Sequence, residues 1–282
     1  MTILDGKQTA LKISEKIQKD IQEYKTLGKR EPRLDIILVG NDFGSQKYVE
    51  MKSKKAQELG IKCDVHSFED NIQESELIEL IETLNKDSNV DGIMIQLPLP
   101  KHINESNILE KISPSKDVDG LTSVNLGKLF KSDPTAIAPA TAEGILELLK
   151  EYEIQIDGKD AVVIGRSDIV GLPTAALLQN ENVTVTVCHS HTQNLKDICK
   201  RADILVVGIG KPEYIDTEYI KEGSVVVDVG TNKNEDGKLV GDVDFESVKD
   251  TVSYITPVPG GVGPMTIVCL LSNLIEAYKK NV

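Results

Sequence analysis

A tyrosine and a lysine four residues apart open the chemical reading. The stretch from Gly44 to Leu59 has helical spacing and is closed by Gly60, so Tyr48 and Lys52 fall on one face, one turn apart. A lysine whose pKa is lowered by burial can take up and return protons. Four lysines (Lys47, Lys52, Lys54, Lys55) against Glu50 and Glu58 make this helix locally basic in an otherwise acidic chain. Ordinary ion pairs such as Glu50–Lys54 account for Lys47, Lys54 and Lys55. Tyr48 and Lys52 resist that reading, because their helix follows a strand end, where parallel sheets bind ligands. Gln96 ends a later apolar strand, Gly92 to Leu97, just before Pro98-Leu99-Pro100. It is either a ligand contact or an amide that caps the loop. Asp117 and Asp119 share the turn Lys116-Asp117-Val118-Asp119-Gly120. One carboxylate there can cap backbone N–H groups while the other faces a ligand, and spacing does not say which.

A second constellation concerns phosphate. The apolar strand Ala161 to Ile164 runs into Gly165-Arg166-Ser167-Asp168-Ile169-Val170-Gly171-Leu172-Pro173 and then a helix. Glycine permits close backbone approach, and the helix N-terminus offers free N–H groups to a diphosphate. The spacing is not Gly-x-Gly-x-x-Gly, and a tight turn with no ligand would use the same glycine. The next strand ends in Cys188-His189-Ser190-His191-Thr192, where NAD-binding units usually carry an acidic residue for the ribose hydroxyls. With no carboxylate there, and with Arg166 and hydroxyl donors on offer, a 2′-phosphate is favoured, hence NADP over NAD. His189 and His191 read equally well as turn residues, and a zinc site lacks a third and fourth ligand nearby. Two more strand ends, Gly208-Ile209-Gly210-Lys211-Pro212 and Gly230-Thr231-Asn232, carry glycines that either admit a nicotinamide ring or simply turn the chain. The dense run Thr256-Pro257-Val258-Pro259-Gly260-Gly261-Val262-Gly263-Pro264 is expected to be a shaped loop rather than helix, with the last helix starting at Met265.

The elements that must position these residues alternate. Strands are expected at Leu34–Gly40, Cys63–Phe68, Gly92–Leu97, Ala161–Ile164, Val183–Val187, Ile204–Val207 and Val225–Val229, separated by amphipathic helices. That alternation implies parallel βαβ units, an α/β fold. Met1 to Ile17 reads as helical, and Pro98 to Gly120 as loop-rich. At 282 residues the chain is near the size where one core splits in two. No run approaches the roughly 18 consecutive apolar residues of a membrane span. The net charge of −13 argues against nucleic acid and anionic membranes as partners, not against small anions met locally. Seven carboxylates against one lysine between His66 and Val90 point to a solvated acidic surface. The four cysteines form no Cys-x-x-Cys pair and the N-terminus lacks a secretory apolar segment, so no metal site and an intracellular, cytoplasmic setting are expected.

Together these segments resemble the bifunctional methylenetetrahydrofolate dehydrogenase/cyclohydrolase family. The matches are Ser45-x-x-Tyr48-x-x-x-Lys52, Asp91-Gly92-x-x-x-Gln96-Leu97-Pro98-Leu99-Pro100 and Lys116-Asp117-Val118-Asp119-Gly120-Leu121. They continue through Gly165-Arg166-Ser167-x-x-Val170-Gly171-x-Pro173, Cys188-His189-Ser190-x-Thr192 and Pro259-Gly260-Gly261-Val262-Gly263-Pro264-Met265-Thr266, in the family's order over nearly the whole chain. The resemblance implies two βαβ lobes with a cleft between them, the second Rossmann-like and doubly wound. It implies a folate-binding catalytic domain of residues 1–137 plus 264–282 and an NADP-binding domain of residues 138–263. It implies oxidation of 5,10-methylenetetrahydrofolate with NADP, then hydrolysis of the methenyl product to 10-formyltetrahydrofolate, in one-carbon metabolism. By position Lys52 is the catalytic lysine, Tyr48 its ring partner near the pterin, Gln96 the residue that holds Lys52, and Asp119 the anchor of the pterin's amino edge. Leu97, Pro98, Pro259, Gly260 and Gly261 would contact the substrate; Gly165, Arg166, Ser167, Ser190 and Thr231 the cofactor. A homodimer is the family's usual assembly. The chain departs from the family at Pro139-Ala140-Thr141-Ala142-Glu143-Gly144, which lacks a cysteine and a proline and so predicts a looser loop before the linker helix. It departs again at Thr231, in place of an isoleucine. Competing readings are a dehydrogenase that lacks the hydrolytic step, and a nucleotide-binding module without catalysis; retention of Tyr48, Lys52, Gln96 and Asp119 argues against the latter.

Overall fold

The computed structural model describes residues 1–234 and 236–282. In chain order the elements begin β1 (Thr2–Ile3), α1 (Gly6–Thr26), β2 (Arg33–Val39), α2 (Phe43–Leu59), β3 (Lys62–Phe68), α3 (Glu74–Lys86) and β4 (Gly92–Ile95). They continue α4 (Glu105–Leu109), α5 (Ser123–Phe130), α6 (Ala140–Glu151), β5 (Asp160–Ile164), α7 (Gly171–Asn180), β6 (Thr184–Cys188), α8 (Leu195–Cys199) and β7 (Ile204–Val207). The chain closes with a 3-10 turn at Thr217–Tyr219, β8 (Val225–Asp228), β9 (Asn232–Lys233), β10 (Leu239–Val240), α9 (Phe245–Val248), β11 (Tyr254–Ile255) and α10 (Val262–Asn281). These fall into two compact units: Lys12–Ala140 with Cys269–Val282, and Met1–Leu11 with Thr141–Val268. The chain passes from one unit to the other within α1, α6 and α10.

The first unit is built on a three-stranded parallel sheet in the order β3-β2-β4. Central β2 is buried from Leu34 onward, the near-continuous apolar run expected of a parallel strand covered on both faces. Leu77, Ile81 and Leu84 of α3 pack with Ile37, Val39, Ile93 and Ile95 of the sheet in one core. Burying each such aliphatic side chain contributes about 1.5–3 kcal/mol. Asp42 accepts from Ser45 N at 2.8 Å and starts α2; the Gly60 N–H, donating to Gln57 O at 3.0 Å, ends it. Along α2 the buried positions are Ser45, Val49, Lys52, Ala56 and Leu59. That is a 3.6-residue stripe, and Lys52 occupies a place in it where an apolar residue would ordinarily sit.

Two expectations for this unit need correction. Strand β4 stops at Ile95, not Leu97, because Pro98 has no N–H to continue the ladder. The stretch expected to be loop-rich carries α4, and α5 follows just beyond it; their starts are capped by Asn104 and Thr122. Five- and eight-residue helices are too short to show periodicity.

The second unit holds a six-stranded sheet in the order β1-β11-β8-β7-β5-β6, with every pair parallel. From β5 the chain moves first to β6 on one side and then to β7 on the other, so the winding reverses between β5 and β7. That is the topological switch point of a doubly wound sheet, where ligands bind beyond the carboxyl ends of the strands. The core is aliphatic throughout, with Val162, Ile164, Leu205, Val207 and Val226 at its centre.

Here too the structure departs from expectation. The first residues are strand rather than helix: β1 pairs with β11, and α1 starts only at Gly6, where the Asp5 carboxylate accepts from Lys7 N and Gln8 N at 2.9 and 3.1 Å. Helix α10 starts at Val262, inside the run expected to be loop. Pro264 lies in the first turn, where its missing N–H is not needed. Ala140 and Ala142 form no loose loop; both are buried in the first turn of α6. No described helix is long and apolar enough to cross a membrane.

Candidate active site

Helix α2 presents Lys52 to the carboxyl end of β4. The side chain is only 7% exposed, and its Nζ donates to Gln96 Oε1 at 3.1 Å and lies 3.5 Å from Met94 Sδ. Gln96 is oriented in turn by its own amide, whose Nε2 donates to Leu97 O at 2.8 Å. Of the two readings left open by its spacing, Gln96 meets that of an amide steadying the loop, and its other end accepts from the Lys52 amine. Met94 escaped the sequence reading, although alternation on a strand puts residues 94 and 96 on one face.

Burial drives the Lys52 ammonium toward its neutral form, lowering its pKa, while the nearby Asp119 carboxylate opposes that shift. The same burial raises Asp119; Lys52 pulls it back down and Asp117 pushes it further up. Each charge thus offsets part of the effect of burial on the other.

The geometry decides between the two aspartates of the turn. Asp117 is fully engaged as a cap, accepting from Leu121 N at 3.1 Å, Thr122 N at 2.8 Å and Asn125 Nδ2 at 2.9 Å. Lys116 clamps the other side, its buried Nζ donating to the carbonyls of Leu84, Asn85 and Asp87 at 2.9, 2.9 and 2.7 Å. Asn273 of α10 donates to the Val118 and Ala138 carbonyls at 3.0 Å each. Asp119 is half-buried on this tightly held turn, with Lys52 nearby. Lys116, Asn125 and Asn273 were missed as supports; an unpaired lysine inside an acidic turn was the available signal for the first.

Tyr48 lies one helical turn before Lys52 and is 40% exposed, as a ring must be to meet a ligand. Glu50 pairs with Lys47 at 2.8 Å rather than with Lys54. Leu97 is half-buried and Pro98 exposed beside Gln96. Pro259, Gly260 and Gly261 belong to the other unit, just before α10, with only Pro259 exposed.

In that other unit, β5 delivers Gly165 to the switch point. Its φ is +131°, and a Cβ there would lie 2.5 Å from Gly208 O; a Cβ on Gly171 would lie 2.2 Å from Gly165 O. Only glycine lets the turn after β5 lie this close to the turn after β7 and to the start of α7. Arg166 and Ser167 are exposed on the turn, and Ser167 Oγ accepts from Val170 N at 3.2 Å. The turn after β6 is closed on itself: His189 N donates to Thr192 Oγ1 at 2.9 Å and His191 N to His189 Nδ1 at 3.2 Å. That leaves Ser190 exposed at its tip and makes His189 a turn residue. Thr231 is exposed immediately after Gly230. Among the described residues, no group of three or more His, Cys, Asp or Glu is placed to hold a metal ion.

Comparison with known proteins finds two models of one family along the chain. The NAD(P)-binding domain model of the tetrahydrofolate dehydrogenase/cyclohydrolase family matches residues 139–282, and the catalytic domain model of the same family matches residues 4–119. The bifunctional protein FolD of Ligilactobacillus salivarius is 52% identical over 284 residues, covering 100% of this chain and 98% of that protein. Among solved structures, the bifunctional FolD methylenetetrahydrofolate dehydrogenase/cyclohydrolase of Campylobacter jejuni superposes with a TM-score of 0.98 at 48% identity, covering 100% of both chains. The Trypanosoma brucei dehydrogenase-cyclohydrolase, solved with NADP cofactor and inhibitor, does so with 0.94 at 38% identity, covering 99% of this chain and 98% of that one.

Proposed function

The chain belongs to the tetrahydrofolate dehydrogenase/cyclohydrolase family, and from that membership we infer that it oxidises 5,10-methylenetetrahydrofolate with NADP and hydrolyses the methenyl product to 10-formyltetrahydrofolate. The unit carrying Lys52 handles folate and the unit carrying Gly165 holds the cofactor. The observation that supports this most is the buried Lys52, kept toward neutrality by burial and hydrogen-bonded to Gln96.

The residues around Gly165 fit NADP: there is a cradle that any Cβ would fill, and Arg166, Ser167 and Ser190 stand exposed. Arg166 and Ser190 would hold the 2′-phosphate, the Gly165 turn and the start of α7 the diphosphate, and Thr231 the far end through its backbone. The bound nicotinamide supplies a hydride acceptor. What the protein contributes to that step is position, since a donor carbon held at near-attack distance needs little further assistance. Tyr48 lies against the pterin ring and the Asp119 carboxyl binds its amino edge. Leu97 and Pro98 complete the substrate contacts on the unit that carries Lys52.

Loss of hydride leaves a methenyl cation shared between N5 and N10. Water then adds to the methenyl carbon, and neutral Lys52 takes a proton from that water as the C–O bond forms. The C–N5 bond breaks next as the hydroxyl oxygen of the adduct becomes the formyl C=O and releases its proton to solvent, while the proton held by Lys52 is returned to N5, giving 10-formyltetrahydrofolate. Gln96, accepting from Nζ, fixes the amine so that its lone pair meets the water.

A spectrophotometric assay with methylenetetrahydrofolate and each nicotinamide cofactor tests the assignment. NADPH should form with little lasting methenyl absorbance before acidification. Reduction of NAD but not NADP, or methenyl that persists, would overturn the cofactor or the hydrolytic half of the reading. We also propose that the chain works in the cytoplasm as a homodimer; sedimentation at micromolar concentration should give twice the 30.9 kDa chain mass, and a monomer would refute it.

A further inference from the structure

Two buried carboxylates lie outside the chemistry described so far. Asp242 is 0% exposed and precedes the short helix α9 in sequence, yet its side chain reaches back to the carboxyl edge of the six-stranded sheet. Its Oδ2 accepts from Ile209 N at 2.6 Å and Gly210 N at 3.0 Å. Its Oδ1 accepts from Lys211 N at 2.7 Å and Asn232 Nδ2 at 2.8 Å. One carboxylate thus ties the turn after β7 to the turn after β8, using all of its ordinary acceptor capacity. Asp228, at the end of β8, holds Asp242 in its turn: Oδ1 accepts from Asp242 N at 3.0 Å and Gly230 N at 2.9 Å, and Oδ2 from Val243 N at 2.9 Å. The approach is so close that a Cβ on Gly241 would lie 1.8 Å from Asp228 Oδ2.

These turns are not ordinary surface loops. The turn after β7 stands next to the Gly165 turn and the turn after β8 one strand further on, on the side of the switch point away from β6. A dinucleotide with its diphosphate at Gly165 and its 2′-phosphate toward Ser190 must extend its nicotinamide arm the other way, over β7 and β8. Backbone N–H groups in such turns have no regular ladder to hold them, and the charged acceptor gives three of them and one side-chain amide a single fixed partner.

The geometry points to Asp242 as a positioning residue for the nicotinamide end of the cofactor site, setting the turns after β7 and β8 rather than touching the reacting atoms. This rests on the cofactor placement proposed above. In Asp242→Asn one acceptor oxygen becomes an NH2 group that opposes N–H donors. A lost charge-assisted hydrogen bond is commonly worth tenfold or more in affinity, so NADPH affinity and kcat/KM for NADP should each fall about tenfold. Hydrolysis of methenyltetrahydrofolate supplied directly should stay at the wild-type rate. A merely structural role would instead lower hydride transfer and hydrolysis together.

The test titrates NADPH fluorescence and measures both activities in the full-length wild-type, Arg166→Ala, Asp242→Asn and Asn232→Ala proteins. If Arg166→Ala binds NADPH as tightly as wild type, the cofactor placement itself fails. If Arg166→Ala weakens binding but Asp242→Asn does not, the placement stands and the positioning role is refuted. Equal losses of hydrolysis and hydride transfer in Asp242→Asn also refute it. Should Asp242→Asn not fold, Asn232→Ala removes one bond from the same carboxylate; about threefold weaker NADPH binding with unchanged hydrolysis supports the proposal, and unchanged binding overturns it.

Discussion

Lys52 and Asp119 form a coupled pair in which burial opposes both charges and each charge relieves the other. The signs give a definite pH behaviour. Hydrolysis needs neutral Lys52, so its rate should rise with pH, through a midpoint below the ordinary lysine value of about 10.4. Asp119 raises the Lys52 pKa, so Asp119→Asn, which removes that attraction, should move the ascending limb to lower pH. A pH profile of kcat for methenyl hydrolysis checks this; a limb that stays put or moves up would contradict the coupling. At this scale much was legible in the sequence. The four-residue spacing of Tyr48 and Lys52 and the strand-end position of Gln96 both mark residues that the structure brings near one another. The division of labour between Asp117 and Asp119 was not legible, because it depends on Asn125 and on the start of α5, which lie outside the turn.

Elements with a strong period were readable, and elements that depend on a distant partner were not. Helix α2 and strands β2, β5, β7 and β8 appear within about two residues of where their apolar spacing puts them. Strands β1 and β11 are two residues each and exist only because they pair with one another and with β8. Helix α10 enters a run whose glycines and prolines discourage helix, since proline is tolerated in a first turn. The turn after β5 is the element on which the cofactor unit depends most. Gly165→Ala places a Cβ 2.5 Å from Gly208 O at a φ of +131°, so the turns after β5 and β7 must part. The cost should be about 2 kcal/mol or more in unfolding free energy, read by urea denaturation, with a matching loss of NADPH affinity. An alanine variant of wild-type stability would show that the close approach is not needed.

For the whole molecule, charge and pH act through a few buried groups more than through the net −13. Burial pushes the Asp228 carboxyl from 3.8 up to about 6, against the pull of three backbone N–H donors, and the neighbouring Asp242 carboxylate adds to the rise. Below about pH 4 the folded and unfolded states both carry this proton, and it contributes nothing. Between about pH 4 and 6 the fold keeps a proton that the unfolded chain has released, so stability falls as pH rises. Above that window the charged form costs the fold about 3 kcal/mol. Urea denaturation at pH 4.5 and 7 should therefore show a decline in wild type that is flatter in Asp228→Asn; equal declines would contradict it. Parallel sheets were foreseeable from alternating strands and helices, whereas the two lobes with a doubly wound second sheet came with the family resemblance. The grouping of the first eleven residues with the six-stranded sheet was not, because two-residue strands leave no periodic trace.

The most direct test of the central claim is the Lys52→Met protein assayed with methylenetetrahydrofolate and NADP while NADPH and methenyl absorbance are followed together. Removing a positioned general base typically costs 100- to 10,000-fold, roughly, in the step that it serves. The variant should still transfer hydride at a reduced rate while methenyltetrahydrofolate accumulates and persists. If the variant clears methenyltetrahydrofolate as fast as wild type, Lys52 is not the base and the assignment of the site falls.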